Sequence, residues 1–113
     1  MVENYNMGKN TKVYNKLVRD RVPDIIFSSG NTPLTTVLSK QEFEESLKRK
    51  LAEETQEFLE SEEVEELVDI FQVILAILDE KGISVEEFEN RRKEKALEKG
   101  EFKQRLFLTC VID

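Results

Sequence analysis

Apolar residues recur along the middle of this chain at helical intervals, and a few positions where the pattern calls for an apolar side chain hold acids instead. Leu47, Leu51 and Phe58 follow i, i+4, i+11 spacing, and the i+7 member of that stripe is Glu54. Glu57 lies one turn further on, at the edge of the stripe. In the next segment Ile70, Val73 and Ile77 repeat at i, i+3, i+7, and one step back along the same stripe lands on Glu66, with Asp69 one turn beyond it. Acids facing a protein interior are costly unless something positive neutralises them.

The remaining pattern sets out the elements. Asn15 to Gly30 contains a short helix, with Pro23 near its start and Gly30 as its terminator, and Asn31-Thr32-Pro33 reads as a turn. Leu34 to Leu38 reads as a short strand. Ser39 and Glu42 form a capping box that opens a long helix through Glu60. Ser61 breaks the run and caps a second long helix, about Glu62 to Glu80, with Glu62 and Glu63 in its first turn. Lys81-Gly82 ends that helix, Ser84 with Glu87 opens a basic helix to about Lys99, and Gly100 stops it. The tail from Arg105 to Ile112 reads as a strand that pairs with residues 34–38. The predicted fold is thus mainly α, a helical hairpin or bundle with a short two-stranded β element from residues 34–38 and 105–112. Residues 1–12 are read as a flexible N-terminus ahead of a single domain at 13–113.

The second long helix is apolar on two sides. Val64, Leu67, Val68, Phe71, Leu75 and Leu78 form one face, and Ile70, Val73, Ile74 and Ile77 another. Such a helix is central in its domain or covered by a partner subunit, and in a chain this short the second option predicts a homo-oligomer, a dimer or tetramer.

Geometry then decides how the acids could meet. In one continuous helix Glu54 and Glu66 would stand roughly 18 Å apart and on different faces. An antiparallel hairpin would bring the Glu54 and Glu57 pair opposite the Glu66 and Asp69 pair. Four carboxylates suit magnesium or manganese far better than zinc, which prefers nitrogen and sulfur. The competing reading is a solvated acidic face, since the stretch from Gln41 to Ile70 holds twelve of the chain's 24 acidic residues. Placement of Glu54 and Glu66 on apolar stripes is what a solvated face does not require.

Composition narrows the chemistry. The 113 residues carry a net charge of −7, which speaks against a general nucleic-acid or membrane-surface binder. There is no histidine, so serine-histidine and cysteine-histidine nucleophilic machinery is excluded. The single Cys110 lies in an apolar run and reads as a buried structural residue. With no apolar stretch near the ~20 residues of a membrane span and no signal-peptide pattern at the start, a cytoplasmic location is expected.

Glu53-Glu54-x-x-Glu57 followed by Glu66-x-x-Asp69 resembles the signature of the all-α nucleoside triphosphate pyrophosphohydrolases, the MazG-like superfamily that includes phosphoribosyl-ATP pyrophosphohydrolase. The block from Tyr14 to Ile26 resembles the opening of a small MazG-like subgroup of house-cleaning pyrophosphatases. Arg92-Lys93-Glu94-Lys95-Ala96 with Gly100-Glu101-Phe102 is similar to its ending. The resemblance spans about residues 13 to 108. It implies cleavage of a nucleoside triphosphate to the monophosphate and pyrophosphate, with magnesium held by Glu54, Glu57, Glu66 and Asp69. Glu53 is a candidate for orienting or deprotonating the attacking water, against the plain reading of a surface acid.

A triphosphate brings about four negative charges, so cations must absorb what the carboxylates would repel. Lys16 and Arg19, one turn apart if their block is helical, and Arg92 and Lys95 on the last helix are candidate phosphate contacts, against ordinary surface ion pairing. Lys48, Arg49 and Lys50 read as solvated. Tyr14 and Phe107 could flank a base but read as core.

Two departures bear on the transfer. Only eight residues separate Glu57 from Glu66, which leaves little room for a base-reading insertion, and the chain has no tryptophan. Three functions follow as expectations: a house-cleaning pyrophosphohydrolase, the phosphoribosyl-ATP reaction of histidine synthesis, or a non-catalytic helical interaction module.

Overall fold

The computed structural model describes residues 10–113 and contains four helices in chain order. These are α1 (Val22–Ser28), α2 (Lys40–Ser61), α3 (Val64–Glu80) and α4 (Val85–Lys99). By contact density the chain divides into two compact units, the first ending at Val73 and the second running from Ile74 to Asp113, so that the boundary falls inside α3. Most of the expected N-terminal segment at 1–12 lies outside the described residues.

Local chemistry explains where each helix starts and stops. Pro23 occupies the first turn of α1, where a missing N–H costs nothing. The turn after α1 closes with Gly30 at φ 95° while the amides of Gly30 and Asn31 donate to the Phe27 and Ile26 carbonyls. The same arrangement ends α3. Gly82, at φ 70°, donates to Asp79 and Ile83 donates to Leu78 at 2.9 Å. At the other end of α2 the capping box forms as expected: Ser39 Oγ accepts from the Glu42 amide at 3.2 Å and the Glu42 carboxylate accepts from the Ser39 amide at 3.0 Å. Ser84 caps α4 in the same way from one side, accepting from the Glu87 amide at 3.1 Å.

Three expectations change. The break between the long helices is placed differently: Ser61 is the last residue of α2, its hydroxyl accepts from the Glu63 amide, and Glu62 takes the left-handed conformation at φ 58°. The next helix therefore begins at Val64 and carries Glu65 and Glu66, not Glu62 and Glu63, in its first turn. No strand is present among the described residues, so the expected β element of 34–38 and 105–112 is not formed. β-branched side chains favour a strand only when a neighbouring strand completes the ladder, and Val37 is fully exposed. Cys110 and Phe107, read as buried, are both exposed, as is Tyr14.

Apolar burial is thin. Among the described residues Leu47, Val73 and Leu78 are the buried apolar side chains. On α3 the inner stripe of Ile70, Val73, Ile74 and Ile77 is half-buried or buried, whereas Val64, Leu67, Val68 and Phe71 on the other face are exposed. No helix among the described residues is long and apolar enough to cross a membrane.

Candidate metal centre

The tight turn at Ser61–Glu63 brings the first turns of α3 back against α2, so that Glu66 and Asp69 come near Glu54. Glu54, Glu66 and Asp69 each offer an oxygen within 4.8 Å of the others, and Glu53, Glu54 and Glu57 form a second such group. Glu54 belongs to both. It is also the one buried charged residue among those described, at 6% exposure. Glu53, Glu66 and Asp69 are half-buried and Glu57 is exposed.

Burial pushes the Glu54 carboxyl above its ordinary value, the Lys50 ammonium opposes that rise, and the nearby Glu57 carboxylate adds to it. Its Oε1 lies 3.3 Å from Lys50 Nζ, while Oε2 is buried without a hydrogen-bond partner among the described residues. An unpaired buried carboxylate oxygen is among the more costly features a fold can carry, and it is what a bound cation would relieve. A donor set made wholly of carboxylate oxygens fits a hard divalent ion such as Mg²⁺ or Mn²⁺.

Positive side chains ring this cluster. Lys16 Nζ donates to Glu53 Oε1 at 3.1 Å, and Arg19 Nη2 donates to Asp69 Oδ1 at 2.6 Å. Both cations arrive from a segment outside any helix, so the expected helical spacing of Lys16 and Arg19 is not the reason they meet the acids. Asn15 adopts φ 47°, a left-handed conformation that asparagine tolerates well, immediately before Lys16. The Glu53 hydrogen bond holds the Lys16 ammonium above its ordinary pKa. Burial acts to raise Glu53, but Lys16 and Lys50 outweigh it and the carboxyl sits below its usual value.

Lys50 is the residue that sequence reading missed. Expected to be solvated, it is only 19% exposed in its side chain and lies 3.5 Å from Glu53 and 3.3 Å from Glu54. The signal was present in its i, i+3 and i, i+4 spacing to those acids. Lys48 and Arg49 are exposed, as expected.

The cations of α4 behave differently. Arg92 is held by Glu89 in its own helix, through both Nε and Nη2, and Lys95 is exposed.

No family model and no solved structure matches this chain. Among curated proteins, a stretch of 42 residues is 48% identical to an uncharacterized protein of Mycolicibacterium smegmatis (strain ATCC 700084 / mc(2)155), covering 37% of this chain and 43% of that protein.

Proposed function

We propose that this chain is a metal-dependent nucleoside triphosphate pyrophosphohydrolase of the MazG-like type, releasing a nucleoside monophosphate and pyrophosphate in nucleotide-pool house-cleaning. The observation that carries the reading is Glu54, buried where two groups of carboxylates meet and left with an oxygen that no side chain or backbone group among the described residues satisfies. A helix that only displayed acids to water would have no use for that arrangement.

In this reading Glu54, Glu66 and Asp69 hold Mg²⁺, with Mn²⁺ as a substitute, and Glu57, which meets that group only through Glu54, adds the fourth carboxylate. The ion, when bound, supplies Lewis acidity toward phosphate oxygens and lowers the pKa of a water. Glu53 takes the role of orienting that water, and its lowered pKa, set by Lys16 and Lys50, supports that role over carrying a proton. Lys16 and Arg19 each have donors beyond those given to Glu53 and Asp69, and these turn to phosphate oxygens. The exposed stripe of Val64, Leu67, Val68 and Phe71 supports a homo-oligomer in which a second copy covers it.

The test is pyrophosphate release from a panel of nucleoside triphosphates and phosphoribosyl-ATP, with and without Mg²⁺, for the wild-type chain and Asp69→Asn. Magnesium-dependent release from a nucleoside triphosphate, lost in the variant, is the expected result. Preference for phosphoribosyl-ATP would move the assignment to histidine synthesis. Absence of release from every member, with no Mg²⁺-dependent rise in melting temperature, would leave only a helical interaction module.

A further inference from the structure

Beside the acidic cluster lies a recess of opposite character, about 140 Å³ in volume, lined by Asn15, Lys16, Leu17, Ser46, Arg49, Lys50 and Glu53. Three cations face one carboxylate there, in a chain whose net charge is −7. Glu53 belongs to the recess and to the carboxylate group of Glu54 and Glu57, so the two features share a wall.

The charges in the recess are unequally committed. Lys50 is shared between Glu53 and Glu54, and Lys16 is bonded to Glu53. Arg49 has no ion pair or side-chain hydrogen bond among the described residues, although the chain's 24 acids outnumber its 17 bases. A guanidinium presents five donors in a planar fork that matches phosphate oxygens, and each ammonium has three. Ser46 and Asn15, both of which carry neutral donors, also line it.

We infer that this recess is an anion subsite for a diphosphate group, gripped by Lys16, Arg49 and Lys50 with Ser46 and Asn15 as neutral donors, and that it takes the pyrophosphate end of the substrate. The inference rests on the pyrophosphohydrolase reading for its biological meaning, but not for its measurement.

Calorimetric titration of the metal-free, full-length chain with inorganic pyrophosphate tests it directly. The wild-type chain binds pyrophosphate, and Arg49→Met weakens binding about tenfold, the worth of one charge-assisted hydrogen bond. Lys48→Met, which removes the same charge from a neighbouring residue that does not line the recess, leaves the affinity unchanged. Absence of binding by the wild-type chain, equal affinity in Arg49→Met, or an equal loss in Lys48→Met would overturn the subsite. Binding that depends on Arg49 in a protein that hydrolyses no triphosphate would sink the enzymatic reading while the subsite stands. Conversely, Mg²⁺-dependent hydrolysis with pyrophosphate affinity untouched by Arg49→Met would sink the subsite alone.

Discussion

Helix α4 and the α2–α3 turn-back are both rich in charge, and they spend it in opposite ways. On α4 the acids and bases pair within a turn and in water: Glu87 with Arg91 and Glu89 with Arg92, every partner more than 40% exposed. Around α2 and the first half of α3, the partners are 37 and 50 residues apart in sequence, and one carboxylate is buried with an oxygen unpaired. Local pairs on a solvated helix cost little and contribute little. Long-range pairs around a buried acid have to be assembled by folding, and they keep a stability cost that makes sense if a ligand recovers it. The difference teaches that in an acidic protein the informative charges are those the fold goes out of its way to desolvate.

The sharpest way to break this comparison is to neutralise one acid in each region. Glu54→Gln is expected to lower Mg²⁺-dependent pyrophosphate release by at least about a hundredfold, the scale of losing a group that positions a catalytic ion. Its melting temperature should hold or rise, since a buried charge is removed. Glu89→Gln on α4 should change neither. A loss of activity in both, or in neither, would erase the distinction.

Leu47 is 3% exposed and shares α2 with Glu54, so Leu47→Ala should cost roughly 2–5 kcal/mol in a urea titration, as cavity formation does elsewhere. Leu97→Ala on α4, where the side chain is 89% exposed, should fall within about 0.5 kcal/mol of wild type. A similar cost at both positions would mean that α4 is covered as deeply as α2 in solution.

Glu62 pays for the turn-back with a left-handed backbone that a side chain with a Cβ resists. Glu62→Gly should stabilise the protein by roughly 0.5–1 kcal/mol, offset in part by the looser unfolded chain. A destabilised variant would show that the Glu62 side chain has a role the backbone does not reveal.

The smallest effect concerns the start of α2. The Ser39 amide and hydroxyl hold Glu42 below its ordinary pKa. Because the folded value is depressed, the cap's contribution is present above the unfolded-state pKa and is lost as pH falls through the folded one. Helicity followed on acidification should decline less steeply in Glu42→Gln than in the wild type, and identical curves would remove the cap from the account.

What the chain's pattern determined by itself is local. Helix limits followed from Pro23, Gly30, Gly82, Gly100 and the Ser39 box, because caps and left-handed glycines act within a few residues. The candidate ligands were legible for the same kind of reason, as acids breaking an apolar period at Glu54 and Glu66. The tertiary structure alone decided which charges meet. Lys16 and Arg19 reach the carboxylates from a segment with no helical register, and the tail read as a strand stays unpaired. Ion pairs across 37 and 50 residues and strand ladders depend on where the backbone goes, and no periodicity within one element encodes that.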